Sequence, residues 1–221
     1  MLLENPYYFG MTTAVYIDAF NLFYGSLKGT DYKWLNVSKL ASFLLPNYQI
    51  VQIRYFTAKI SAKSYDPNAP LRQQAYLNAL GTLSDTSIHF GRYQTSIVKM
   101  PLANPVRGQN RMVEVIKSEE KGSDVNLATQ LLVDAYAKLA DSYVVISNDA
   151  DLAEPIRVVC HELNFKVGIV NPHLPNRRSW TLRNVNPTFH RDLRRGVLKA
   201  SQFPDTIIQG VNSIQKPDDW V

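Results

Sequence analysis

Cys160 is the only cysteine in 221 residues, which excludes an intrachain disulfide framework and any cysteine-rich zinc site and suits a reducing compartment. No apolar run approaches the roughly 18 residues that a spanning helix needs. The opening MLLENPYYFG has neither the basic stretch nor the apolar core of a signal peptide. A membrane partner is therefore not expected, and the cytoplasm is the simplest address. The chain also lacks a glycine-rich phosphate loop of the P-loop type. Its histidines, His89, His161, His173 and His190, show no metal-ligand spacing. Internal repeats and low-complexity tracts are missing as well. What is present is ordinary globular composition, 45% hydrophobic and 19% charged, at a length that can bury roughly 70% of the unfolded surface in one core.

Charge is distributed unevenly along the chain. Between Asn171 and Ala200 lie Arg177, Arg178, Arg183, Arg191, Arg194, Arg195 and Lys199 against the single acid Asp192, whereas the rest of the chain is close to neutral. Such a region fits a polyanionic partner, because arginine–phosphate contacts release counterions and dominate nonspecific nucleic-acid affinity. A solvated basic face is the plain alternative. Trp180 and Phe189 interleave aromatic surface on which an unpaired base can stack, and Lys99, Arg107 and Arg111 offer a second basic wall.

Short apolar runs alternate with helical patterns. Ala14–Ile17, Ile50–Ala58, Ser87–Tyr93, Met112–Ile116, Tyr143–Ser147 and Lys166–Val170 read as strands. Asn36–Leu45, the stretch from Pro70 to about Leu83, Asp124–Leu139 and Leu152–Leu163 read as helices, the last tolerating Pro155 in its first turn. This alternation predicts a three-layer α/β fold with a mostly parallel sheet between helices. Residues 1–203 are expected to form one domain, with a protruding loop or hairpin over about 91–110 and a basic region over about 171–200. A short basic helix is expected from Pro187, and 204–221 as a loosely held tail.

In an open parallel sheet, ligands bind beyond the carboxyl ends of the strands. Asp18 ends the first strand, Asp124 opens the helix after the fourth, and Asp149 with Asp151 follows the fifth. Each taken alone is an ordinary helix cap or turn residue. Together they collect negative charge at one edge, which a divalent cation would offset, and oxygen-only ligation favours Mg²⁺ or Mn²⁺. Such an ion activates water and neutralises charge on phosphoryl oxygens.

The segments VYIDAFNLFY (Val15–Tyr24), EKGSDVNLATQLL (Glu120–Leu132) and VVISNDADLAEPI (Val144–Ile156) resemble the three signature blocks of the NYN domain, in its LabA-like branch, a relative of the PIN nucleases. The resemblance implies a PIN-like (Rossmannoid) fold and metal-dependent RNA cleavage, with Asp18, Asn21, Lys121, Asp124, Asp149 and Asp151 at the family's site positions; an endonuclease is the expected form. RNA is the implied partner, with a second copy of the chain and a protein regulator or antitoxin as further partner classes. The chain departs from the family at Gln130, where a further helix aspartate is common, and at Asn148 and Leu152, where glycine and phenylalanine are common. The first departure bears on a second metal site. Asp134, one turn beyond Gln130, reads as a solvated helix residue, and Glu119 with Glu120 as a solvated pair. Asn21 can orient a water or hold its loop, Ser147 can donate to a carboxylate or satisfy backbone, and Lys121 can bind the scissile phosphate or stay solvated.

A second function class is a catalytically silent PIN-like module that binds RNA or protein. Asp149-Ala150-Asp151 alone would also suit a Toprim nuclease or a nucleotide-sugar transferase. Toprim catalysis wants a glutamate where Asp18 stands, and an aspartyl-nucleophile phosphatase wants a second aspartate where Phe20 stands.

Overall fold

The computed structural model describes residues 10–105, 108 and 110–220. β1 (Met11–Asp18) runs into a short helix α1 (Ala19–Leu22) and a π-helical turn over Phe23–Leu27. Then come α2 (Val37–Leu44), β2 (Tyr48–Thr57), α3 (Ala69–Leu80), β3 (Thr86–Phe90), β4 (Arg92–Pro101), β5 (Met112–Lys121) and α4 (Ser123–Tyr136). β6 (Ser142–Ile146), α5 (Ala153–Arg157), β7 (Lys166–Asn171), α6 (Trp180–Asn184), β8 (Phe189–Asp192) and α7 (Arg195–Ala200) follow. The chain closes with a hairpin of β9 (Thr206–Gln209) and β10 (Asn212–Gln215).

Six strands form one parallel sheet in the order β3-β2-β1-β6-β7-β8. β1 is central because Ala14–Asp18 is buried throughout, and a strand buried on both faces has no polar side to give to water. Its side chains alternate between two cores. Val15 and Ile17 join Val144, Ile146 and residues of α2 and α3 on one face. Ala14 and Tyr16 join Tyr143, Val145 and residues of α4 and α5 on the other. Local signals end the helices as the residues dictate. The Asn36 carboxamide caps α2 by accepting from the Lys39 N–H at 2.9 Å, and Pro70 sits in the first turn of α3. The layered α/β architecture expected from the alternation is the one observed.

Four expectations differ from the structure. Met112–Ile116 does not join the parallel sheet. It belongs to β5, which pairs antiparallel with β4 in a separate ribbon reaching from Arg92↔Lys121 to Pro101↔Met112. Both faces of that ribbon carry charges, such as the Lys99–Glu114 cross-strand pair, so it cannot be buried between helix layers. The segment after Pro187 is not a helix at first. Phe189–Asp192 adds β8 to the sheet edge, and the helix begins only at Arg195. The chain after Phe203 is tied down: Trp220 packs against Trp34 and Tyr76, and Arg72 pairs with Asp219 at 2.9 Å. A terminal indole supplies enough apolar surface to hold its end of the chain.

Asp134 is the fourth correction, since it is buried rather than solvated. The Tyr16 hydroxyl donates to it at 2.5 Å, Arg54 binds both its oxygens at 2.5 and 2.8 Å, and the Gln130 amide donates at 2.8 Å. A bidentate guanidinium plus two further donors satisfies a buried carboxylate. Gln130 therefore serves this network. Arg54→Met would strand the Asp134 charge and should destabilise the protein by about 3–5 kcal/mol, whereas Val133→Ala on the exposed side of the same helix should stay within about 0.5 kcal/mol. Urea midpoints of the two variants measure the contrast; equal midpoints would refute it.

Candidate functional site

The order of the sheet reverses direction between β1 and β6, and the crevice at their carboxyl ends is where an open α/β sheet accepts ligands. Asp18, the last residue of β1, lies 5% exposed there. It accepts from the Asn21 N–H at 2.9 Å and from the Ser147 hydroxyl at 2.9 Å. Ser147 also accepts the Asp149 N–H at 3.0 Å, so one hydroxyl ties together two carboxylate-bearing loops. Asp149 caps the turn that follows by accepting from the Asp151 N–H at 3.0 Å.

Asp124 arrives from α4. Gly122, at φ +93°, turns the ribbon into that helix in a conformation side-chain-bearing residues rarely adopt, and Asp124 falls in the first turn. The turn is tight enough that a Cβ on Gly91 would strike the Glu120 carboxylate and the Ser123 N–H, which hydrogen-bond each other at 3.0 Å. Glu120 is thus a capping residue and lines the site, correcting its reading as half of a solvated pair.

Asp18, Asp124 and Asp149 each offer an oxygen within 4.8 Å of the others. At that spacing each pair of charges repels by about 3 kcal/mol at an effective dielectric of 20. Burial pushes the Asp18 carboxyl up to about 7, with Asp124 and Asp149 adding to the rise and its two hydrogen bonds opposing it. Burial, followed by the charges of Asp149, Glu120 and Asp151, pushes Asp124 up to about 6. Asp151 is exposed, nearby but outside the trio.

The cavity over these carboxylates, about 310 Å³, is also lined by Phe20, Asn21, Tyr24, Tyr93, Glu120 and His173. The Asn21 carbonyl accepts the Asn148 N–H at 2.9 Å and lies 3.1 Å from His173 Nε2. An amide oxygen cannot donate, so His173 presents its Nε2–H here. Burial and the charge of Arg177 hold the His173 pKa below its ordinary value. The Asn148 carboxamide donates to the Arg177 carbonyl and accepts the Ser179 N–H, both at 2.7 Å, pinning the arginine-bearing loop to the end of β6. Tyr24, Tyr93, Glu120 and His173 were not found by sequence reasoning. Tyr24 and Glu120 had a local signal, since they lie inside the first and second signature blocks.

The remaining expected residues are dispersed. Lys121 lies 3.3 Å from Glu119, outside the cavity lining. Arg178 is bidentate to Asp192 at 2.6 and 2.5 Å. Arg183 lies over Trp180, which is exposed, and Arg191 over Phe189. Phe189 packs on the core and against Gly168, so its ring is no free stacking surface. Arg177, Arg194 and Arg195 are exposed; the last two follow the carboxyl end of β8, on the edge that holds the carboxylates. Lys99 pairs loosely with Glu114 at 3.9 Å on the ribbon. Arg111 is exposed near the ribbon's far end, and Arg107 lies outside the described residues.

A parallel sheet with helices on both faces and an acidic crevice at its switch point is the architecture of a PIN-like protein. The chain belongs to the NYN family of that superfamily, whose domain model matches residues 12–193. Over 244 aligned positions it is 30% identical to 6-hydroxy-3-succinoylpyridine 3-monooxygenase HspA of Pseudomonas putida (strain DSM 28022 / S16), spanning 95% of this chain and 75% of that protein. It also resembles the crystal structure of a protein of unknown function from Vibrio parahaemolyticus, with a TM-score of 0.54 and 14% identity over 87% of this chain and 98% of that one. The second likeness is one of fold. Among the described residues, no helix is long and apolar enough to cross a membrane.

The raised carboxyls generate a pH dependence. The Asp18 pKa rises from 3.8 unfolded to about 7 folded, so its contribution is fully present below about pH 4 and is lost as pH rises towards 7. In EDTA the melting temperature of the wild type relative to Asp18→Asn should fall across that window. At pH 7, millimolar Mn²⁺ should raise the melting temperature and release protons; no thermal shift would count against a metal site.

Proposed function

We propose that this protein is a metal-dependent ribonuclease that cleaves RNA phosphodiesters, most simply as an endonuclease. The observation that carries the reading is the meeting of Asp18, Asp124 and Asp149 within 4.8 Å at the switch point. The donor set fits a hard divalent cation. All the donors are carboxylate oxygens, one of them is buried, and among the described residues no arginine or lysine lines the cavity to balance them. This contrasts with Asp134, which has Arg54. Asp18, Asp124 and Asp149 would hold Mg²⁺ or Mn²⁺, with Asp151 close enough to assist directly or through water. When bound, the ion supplies Lewis-acid stabilisation of the phosphoryl oxygens and lowers the pKa of a water.

The chain's own groups do the positioning. Ser147 and the Asn21 N–H hold the Asp18 carboxylate from two sides, leaving it no rotational freedom. Asn21 joins the loops after β1, β6 and β7 through one carbonyl oxygen. Arg177, Arg194 and Arg195 form the basic approach on the same edge, and Lys121 reaches the phosphate by giving up Glu119. RNA is the partner this supports. The intracellular reading from the lone cysteine agrees with such a substrate.

The identity to a protein named as a monooxygenase supports a second reading, oxidation of a hydroxylated pyridine. Oxygen uptake on adding a hydroxypyridine and an electron donor would favour it. A catalytically silent module would bind RNA without cutting it.

Cleavage of a single-stranded RNA should require Mn²⁺ or Mg²⁺ and fall about 100-fold or more in Asp149→Asn. Metal-independent or Asp149-independent cleavage would overturn the assignment. Neutralising Arg194 and Arg195 together should weaken RNA binding and flatten its log–log salt dependence by about 0.7 per lost phosphate contact; an unchanged slope in a folded variant would move the binding surface elsewhere.

A further inference from the structure

The wall of the cavity facing the carboxylates is aromatic, and no role assigned above uses it. Tyr24, on the turn after α1, is 60% exposed although its ring belongs to the cavity lining. Tyr93 reaches the same lining from the base of the ribbon, where it stands opposite Glu120. Each ring has an aromatic neighbour: Phe23 meets Tyr24 edge-on at 5.3 Å, and Phe20, itself in the lining, meets Tyr93 edge-on at 5.9 Å. Such contact orders a ring before any ligand arrives, so ordering costs little at binding. The two phenols are close enough that Tyr24 contributes to pushing the Tyr93 hydroxyl up to about 12, after burial. Lys28 sets its ammonium over one face of the Tyr24 ring, 5.1 Å from the centroid, and leaves the other face for a ligand.

We infer that Tyr24 and Tyr93, flanked by Phe23 and Phe20, form a stacking subsite for one planar heteroaromatic ring beside the three carboxylates, and that the ring is an unpaired nucleobase of the RNA. The inference rests on the ribonuclease reading for the source of the ring. A volume of about 310 Å³ is at the small end of ligand pockets and suits one ring system. Bases in a duplex stack on each other and have no free face, so only unpaired ones can use an aromatic platform. Lys28 supplies a partner for the adjoining phosphate, while the carboxylates would repel that phosphate without a cation. The subsite thereby explains why a single strand is the expected substrate: a base lodged on the tyrosines holds its own backbone next to Asp18, Asp124 and Asp149. The same ring chemistry is found in a free hydroxypyridine, and the test separates the two sources.

The full chain is titrated in millimolar Ca²⁺, which offsets the carboxylates but binds in a loose geometry not expected to support cleavage, with a single-stranded RNA tetranucleotide, the same tetranucleotide made wholly abasic, a blunt RNA duplex and free 6-hydroxynicotinate. Binding is followed by calorimetry. The wild type should prefer the single strand to both the abasic strand and the duplex. Tyr24→Ala and Tyr93→Ala should each weaken single-strand binding about tenfold, Tyr24→Phe and Tyr93→Phe should restore most of it, and the abasic strand should bind all five proteins alike. Alanine variants that fold, by circular dichroism, and bind the single strand like wild type would overturn the subsite. Tyrosine-dependent binding of 6-hydroxynicotinate that exceeds that of the single strand would overturn the nucleobase as its occupant. The readout needs no turnover, so loss of the ribonuclease reading in the cleavage assay and loss of the stacking subsite here are separate results.

Discussion

Burial of a carboxylate at the end of the central strand is the constraint around which this molecule is arranged. β1 is covered on both faces and flanked on both edges, so its last residue, Asp18, is left only 5% exposed. The protein buries a second carboxylate, Asp134, only a helix away, and the two are treated differently. Asp134 receives a bidentate arginine, a phenol and an amide. Asp18 receives one hydroxyl and one backbone N–H, and then two more carboxylates are brought beside it. One arrangement is complete within the chain and fastens α4 to β1 and β2. The other is left electrostatically open, which is stable only with protons or a cation to balance it.

The open site is assembled by connections rather than by any single element. β1 and β6 lie side by side because the chain crosses back over the sheet after β3, and that crossing carries the ribbon of β4 and β5. The ribbon's base contributes Tyr93 and Glu120 to the crevice, and its exit turn at Gly122 aims Asp124 into it. Asn148 and Asn21 then lock the loops after β6 and β7 to the loop after β1. Asn148 stands where NYN relatives commonly have glycine, and a side chain there is what ties down the arginine loop.

A shared frame does not dictate chemistry. The relative from Pseudomonas putida bears the name of a monooxygenase while matching 95% of this chain at 30% identity. What distinguishes candidate activities is the composition of the crevice. Here it combines carboxylates with tyrosines.

Asp124 is expected after a strand of the parallel sheet but arrives from the exit turn of the antiparallel ribbon. Periodicity and strand-end position suffice to read the α/β class, the two-sided burial of β1 and the meeting of Asp18 with Asp149, because each of these two carboxylates follows its own apolar run and parallel topology sends those ends to one edge. Ser147 was legible for the same reason. Asp134 was not, since a helix aspartate four residues after a glutamine looks solvated until Arg54, eighty residues away, is brought beneath it by the pairing of β2 with β1. β8 was hidden because four residues, Phe-His-Arg-Asp, acquire strand character only by pairing with the edge of β7. Tyr93, Glu120 and His173 belong to the site through the antiparallel register of the ribbon and the path of the chain after β7. Contacts between segments distant in sequence leave no period or spacing behind, so only the packed chain could bring an aromatic wall to face its carboxylates.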